Sequence, residues 1–121
     1  MTINNPKAYM AGIWDWKILK GCFGMTNIEP TDIDGCIERN GHFLYLETKS
    51  PGARVSVGQQ RTHEAWVAKG DSVIIVWGET NAPQRLQVFS PKYPHGKIYE
   101  NADLNKLREL VTAWFDLVDQ R

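Results

Sequence analysis

The dipeptide Asn40-Gly41 constrains this chain more than any other feature. A two-residue type I′ turn needs positive φ at both central positions, which Asn and Gly tolerate best, and β-prone residues stand on either side. A hairpin over residues 30–49 follows. With Asn40 and Gly41 at the tip, Arg39 faces His42, Ile37 faces Leu44, Gly35 faces Leu46, Asp34 faces Glu47 and Asp32 faces Lys49. Side chains two apart share a face, so Ile33, Ile37, Leu44 and Leu46 are expected on a core face and Asp32, Asp34, Glu47 and Lys49 on the other. Carboxylates placed directly opposite one another repel. A hard divalent cation that takes oxygen ligands would relieve the repulsion, and a Mg²⁺ site is the expectation.

The rest of the chain supplies a frame for that hairpin. Asn4 or Asn5 before Pro6 can start a helix over 7–20 that carries Met10, Ile13, Trp14 and Ile18, with Gly21 as its stop. Trp14 and Trp16 are read as core and rim rather than as a base-stacking platform. Residues 22–28 are a loop or a short strand. After the Pro51-Gly52 turn, 57–69 reads as a helix with Val57, Gln60, Glu64 and Val67 on its inward stripe and Gly70 as its stop. Gln60 there either reaches back to the acidic face or sits half in water, and Gln59 is expected to point outward.

Residues 71–77 form the most apolar run, a buried central strand by length and β-branching. Strand, helix, strand in that order favours a parallel crossover, which leaves the hairpin at the edge of a mixed sheet. Beyond Gly78, residues 85–89 and 97–100 alternate as two strands across a connection that suits either a nucleic-acid-contacting loop or an ordinary Pro-bearing turn. A last helix over about 103–119, capped by Asn101 or Asp103, carries Leu104, Leu107, Leu110, Val111, Trp114, Phe115 and Val118 as a wide apolar stripe. If one sheet cannot cover the stripe, it is the natural dimer face. The whole chain, 1–121, is the size of one α/β domain.

Charge and cysteine content narrow the function classes. Fourteen basic residues balance fourteen acidic ones, so polyanion binding must come from a local patch or from bound metal. Cys22 and Cys36 make no disulfide framework, which fits reduced thiols. No basic start, leader-like apolar run or bilayer-length segment is seen, and a soluble, cytoplasmic protein without membrane contact is expected. His42, His63 and His95 lack zinc-site spacing, no GxSxG elbow occurs, and there is no phosphate-cradling P-loop. The carboxylate face remains.

Asp34, then Glu47-Thr48-Lys49 thirteen residues on, with Pro30 upstream, a helix carrying Gln60 and then a hydrophobic strand, resembles the PD-(D/E)XK nuclease superfamily. The spacing is similar to that of archaeal Holliday-junction resolvases. The wording of 31–35, 38–41, 47–49 and 58–60 resembles small nuclease-like proteins of phages and bacteria. The matched region is about 29–77, and one departure is that three residues separate Pro30 from Asp34.

The resemblance implies a restriction-endonuclease-like mixed β-sheet flanked by helices, and a Mg²⁺-dependent DNA endonuclease, structure-selective in one form, with Mn²⁺ as a substitute. It implies that Asp34, Glu47 and the backbone carbonyl of Thr48 hold the metal, with Asp32 as an alternative ligand or an ion-pair partner of Lys49. Lys49 would orient the nucleophile and stabilise charge first and act as general base second. Gln60 would contact the nucleophile or the phosphate, and Arg54, Arg61 and Lys92 would contact nucleic acid. A homodimer, one strand cut by each subunit, and a phage-encoded protein acting in a host cell complete the picture. Two rivals stand beside it: a nuclease-fold accessory or inhibitor that binds without cutting, and a small α/β interaction domain with a merely polar hairpin face.

Overall fold

A computed structural model describes residues 14–120. The chain divides into two compact units, Met1–Asp32 and Ile33–Arg121. In the first, the described residues hold one 3₁₀ turn, Trp16–Leu19, capped by Asp15, whose carboxylate accepts the Lys17 N–H at 2.9 Å. Half of the helix expected over 7–20, residues 7–13, lies outside the described residues, and over the other half this 3₁₀ turn stands in place of the α-helix. Trp14 and Trp16 are exposed rather than core, with ring centroids 6.0 Å apart. Among the described residues of this unit none is buried, so none offers a core for them.

The second unit contains the whole sheet, in the order β1 (Gly35–Arg39), β2 (His42–Lys49), β3 (Ser72–Glu79), β4 (Ala82–Phe89), β5 (Lys97–Tyr99). Helix α1 (Val57–Ala68) joins β2 to β3, which run parallel, and helix α2 (Leu104–Asp119) closes the chain; the other strand pairs are antiparallel. The hairpin forms in the expected register from Arg39↔His42 to Gly35↔Leu46. Asn40 and Gly41 take φ of 52° and 82°, as the type I′ turn requires. Asp32 and Asp34 both precede the first ladder pair, so the expected pairing of Asp34 with Glu47 is not part of the ladder.

Both faces of the central strands are covered, which corrects the expectation of one core face and one chemical face; the edge strand β1 stays exposed, so Ile37, and Ile33 ahead of it, are not the core residues expected. On one face, Leu44, Ile74 and Leu86 pack with Trp114 and Val118 of α2. On the other, Val73, Ile75, Trp77 and Phe89 pack with Val67 of α1, and Tyr45 and Trp66 stack at 3.9 Å between centroids. Full burial of a Leu, Ile or Phe side chain contributes about 1.5–3 kcal/mol. The all-apolar β3 run therefore needs helices on both sides, as in a strand–helix–strand unit.

The inward face of α1 is one residue round from the expected stripe. Val57 is exposed, while His63 and Val67 are buried and Gln59 lies half-buried on the same side. The reason is aromatic: this rotation sets Trp66 on Tyr45 and His63 against Phe89, which burial of Val57 and Glu64 could not match.

Candidate functional site

Glu47 and Lys49 occupy the carboxyl end of β2, on the face that α1 covers. Period-two alternation puts them on the side of Tyr45, and their side chains keep only 13 % and 12 % of their surface exposed. The parallel crossover then sends the chain through Ser50–Ser56 loop residues into α1, so the first turns of the helix stand over the end of the strand. Open α/β sheets place their ligands outside the carboxyl ends of their strands. Trp77 pins the connecting loop by donating its indole N–H to the Ala53 carbonyl at 2.7 Å.

The helix enters through a capping box. Ser56 accepts the Gln59 N–H at 3.1 Å, and the Gln59 side-chain oxygen accepts the Ser56 N–H at 3.2 Å. The same Gln59 amide bridges the two charged groups: Nε2 donates to Glu47 Oε1 at 2.9 Å, and Oε1 accepts from Lys49 Nζ at 3.1 Å. Turning the amide over would set two donors face to face at Lys49 and two acceptors at Glu47, so the network fixes its orientation. Lys49 Nζ lies 3.6 Å from Glu47 Oε1.

On its other oxygen Glu47 meets His63, whose Nε2 is 3.1 Å from Oε2. His63 is 1 % exposed, and among the described residues its Nδ1 has no hydrogen-bond partner. Loss of water pushes the imidazole below its ordinary range; the Glu47 carboxylate pulls it up by charge and hydrogen bond, the Lys49 ammonium pushes it down again, and the lowering wins. A neutral ring beside an ionised carboxylate must carry its proton on Nε2 and donate it to Glu47.

Asp34 sits apart from this network. Its Oδ2 accepts the Thr48 N–H at 2.8 Å and the Thr48 hydroxyl at 3.3 Å. The carboxylate takes a main-chain donor at the point where the β1 ladder has ended, which is why the aspartate leaves the strand it was expected to join. Thr48 itself is held opposite Val76 in the parallel ladder.

Of the residues singled out by sequence, the structure thus brings together Glu47 and Lys49, ties Asp34 to the intervening Thr48, and leaves Asp32 exposed ahead of β1. Gln60 is not in the network: its amide donates to Glu64 at 3.0 Å, and Glu64 also meets His95 at 2.9 Å. Gln59 holds the place expected of Gln60, because α1 is rotated. Arg54, Arg61 and Lys92 are exposed, Lys92 lying 5.5 Å from the Tyr93 ring centroid. Glu38 caps the hairpin turn by accepting the Gly41 N–H at 2.7 Å. His63 and Gln59 are the residues that sequence reasoning missed, and their signal was there: four apart on a helix, they share a face.

Fold and geometry define a small α/β domain, a five-stranded mixed sheet with two helices, carrying a largely buried carboxylate, amide, ammonium and imidazole at the end of a parallel strand. No family model, curated protein or solved structure matches the chain. Both cysteines are free and exposed, and among the described residues no helix is long and apolar enough to cross a membrane. Also among the described residues, no three His, Cys, Asp or Glu side chains group as a metal site.

Proposed function

We propose that the chain is a Mg²⁺-dependent endonuclease of the PD-(D/E)XK type, hydrolysing phosphodiester bonds in DNA, with its centre at Asp34, Glu47 and Lys49. The observation that carries the reading is the Glu47–Gln59–Lys49 bridge. Holding a carboxylate and an ammonium largely out of water returns little net stability, because desolvation offsets the attraction. Side chains kept in such an arrangement at the carboxyl end of a parallel strand suit chemistry better than structure.

The donor set fits Mg²⁺, which takes one or two carboxylates and completes its shell with water and phosphate. Glu47 and the Thr48 carbonyl would hold it together with Asp34, whose carboxylate would have to turn from the Thr48 N–H and hydroxyl that it accepts here, with Mn²⁺ able to substitute. Glu47 accepts one strong donor per oxygen and retains lone pairs for a cation. When bound, the metal supplies a water of lowered pKa and charge stabilisation at the scissile phosphate. The chain's own part is positioning: Gln59 orients the Lys49 ammonium, and Lys49 orients the attacking water and offsets negative charge building on the phosphate. Gln59 takes the role first expected of Gln60, while Arg54, Arg61 and Lys92 are the exposed cations available to the DNA backbone.

A homodimer would place two such centres on a duplex, and the exposed Leu104 and Phe115 of α2, which fall on one face of the helix, offer the surface. A phage-encoded protein acting in the host cytoplasm belongs to the same reading. A second reading, a nuclease-fold protein that binds nucleic acid or another protein without cutting, draws on the fact that Glu47 already has protein donors on both oxygens.

The test is incubation of the protein with supercoiled, linear, single-stranded and branched DNA in Mg²⁺ or Mn²⁺, beside Glu47→Ala and Lys49→Ala. Divalent-dependent cleavage, reduced at least about 100-fold by each substitution, is expected. Absence of cleavage on every substrate, or cleavage that survives both substitutions, refutes the enzyme; binding without cleavage supports the second reading.

A further inference from the structure

His63 does nothing in the reaction sketched above, yet it is the most completely buried polar side chain touching the site. Its burial has no packing rationale of its own. A Phe or Leu would fill the space between Trp66, 5.9 Å away between ring centroids, and Phe89, 5.2 Å away, without leaving a polar nitrogen unpartnered among the described residues. The one thing the imidazole supplies that an apolar side chain cannot is the hydrogen bond to Glu47 Oε2.

The geometry of that bond is directional. Gln59 reaches Glu47 from the first turn of α1, onto Oε1; His63 reaches it from one turn further along, onto Oε2. Two donors from one rigid helix, four residues apart, clamp both oxygens of a single carboxylate and so fix its plane. Lone pairs not used by the clamp are the ones left for a cation. Partners of this kind behind a metal-binding carboxylate commonly change affinity by about 10–100-fold when removed.

We propose that His63 is a positioning residue: its Nε2–H, acting on Glu47 Oε2 together with Gln59 on Oε1, sets the carboxylate in the orientation that accepts a divalent cation. This rests on the reading of Glu47 as a metal ligand. The clamp also accounts for the unpartnered Nδ1. A single imidazole proton must sit on Nε2 to serve Glu47, and leaving a bare acceptor in the apolar pocket costs less than leaving an N–H there.

The full chain is titrated with Mg²⁺ in two ways. Nitrogen NMR of histidine-labelled wild-type protein is expected to show a His63 Nε2–H tautomer whose signal moves as Mg²⁺ is added, along with the backbone amides of Glu47 and Thr48. Calorimetry is expected to show at least about tenfold weaker Mg²⁺ binding in His63→Leu, restored to within about threefold by His63→Gln, whose amide N–H can stand where Nε2 does. An Nδ1–H tautomer, a His63 signal that stays still while the Glu47 and Thr48 amides move, unchanged affinity in His63→Leu, or His63→Gln no better than His63→Leu overturns the role of His63 and leaves the metal site standing. Mg²⁺ that moves none of these signals in the wild type overturns the metal site and the role of His63 together. The NMR measurement needs no substitution, so a His63→Leu chain that fails to fold still leaves the proposal refutable.

Discussion

His63 is where the site meets the stability of the protein. Burial holds the ring below its ordinary protonation range, with Glu47 opposing and Lys49 assisting. The native imidazole therefore takes its proton at lower pH than the unfolded one, whose pKa is about 6.5. Between those two values the unfolded chain holds more protons, so acid favours unfolding, and stability is lost as pH falls below about 6.5. In EDTA, the melting temperature of the wild type should drop across that window more steeply than that of His63→Gln, which has nothing to titrate there. Parallel curves for the two proteins would show that the ring is not held neutral.

At the same scale, Glu47 and Lys49 were legible because one strand position and its neighbour two along must share a face. His63 is harder to read: its spacing of four from Gln59 puts the two on one face of α1, but nothing in that spacing says that this face is the inward one or that a carboxylate waits there. Gln59 and Gln60 are adjacent, and the choice between them turns on about 100° of helix rotation, which the few large apolar residues of α1 do not fix.

Among the elements, α1 links folding to the site through its first turn. Gln59 is at once the third residue of the capping box and the bridge between Glu47 and Lys49. Ser56→Ala removes the hydroxyl that accepts the Gln59 N–H and should cost about 1 kcal/mol of stability, read by chemical denaturation. It should also lower cleavage while Glu47 and Lys49 remain intact, since the bridging amide loses its anchor; unaltered activity with the expected loss of stability would separate the cap from the site. The hairpin was legible to the residue because Asn40-Gly41 admits one register, and the pairing from Arg39↔His42 to Gly35↔Leu46 obeys it. The end of β1 was not legible: register arithmetic extends a ladder indefinitely, and only the Asp34 contact with the Thr48 N–H marks where it stops.

For the molecule as a whole, the parallel crossover between β2 and β3 decides where the buried polar network lies. It places α1 over the carboxyl end of β2 and leaves α2 to cover the opposite face with Trp114 and Val118. Element order and pattern were enough for the mixed sheet and its hairpin edge, because an all-apolar strand after a helix has few other places to go. They were not enough to show that both faces of the central strands are packed, since the charged residues of β2 break its apolar run. The even charge balance gives no general pull toward DNA, so a local cation is central to the account. Diffraction from a crystal soaked in Mn²⁺, recorded at a wavelength where manganese scatters anomalously, tests this most directly. An anomalous peak is expected at about 2.1 Å from carboxylate oxygens of both Glu47 and Asp34; no peak at either carboxylate, with manganese found elsewhere or nowhere, refutes the metal site.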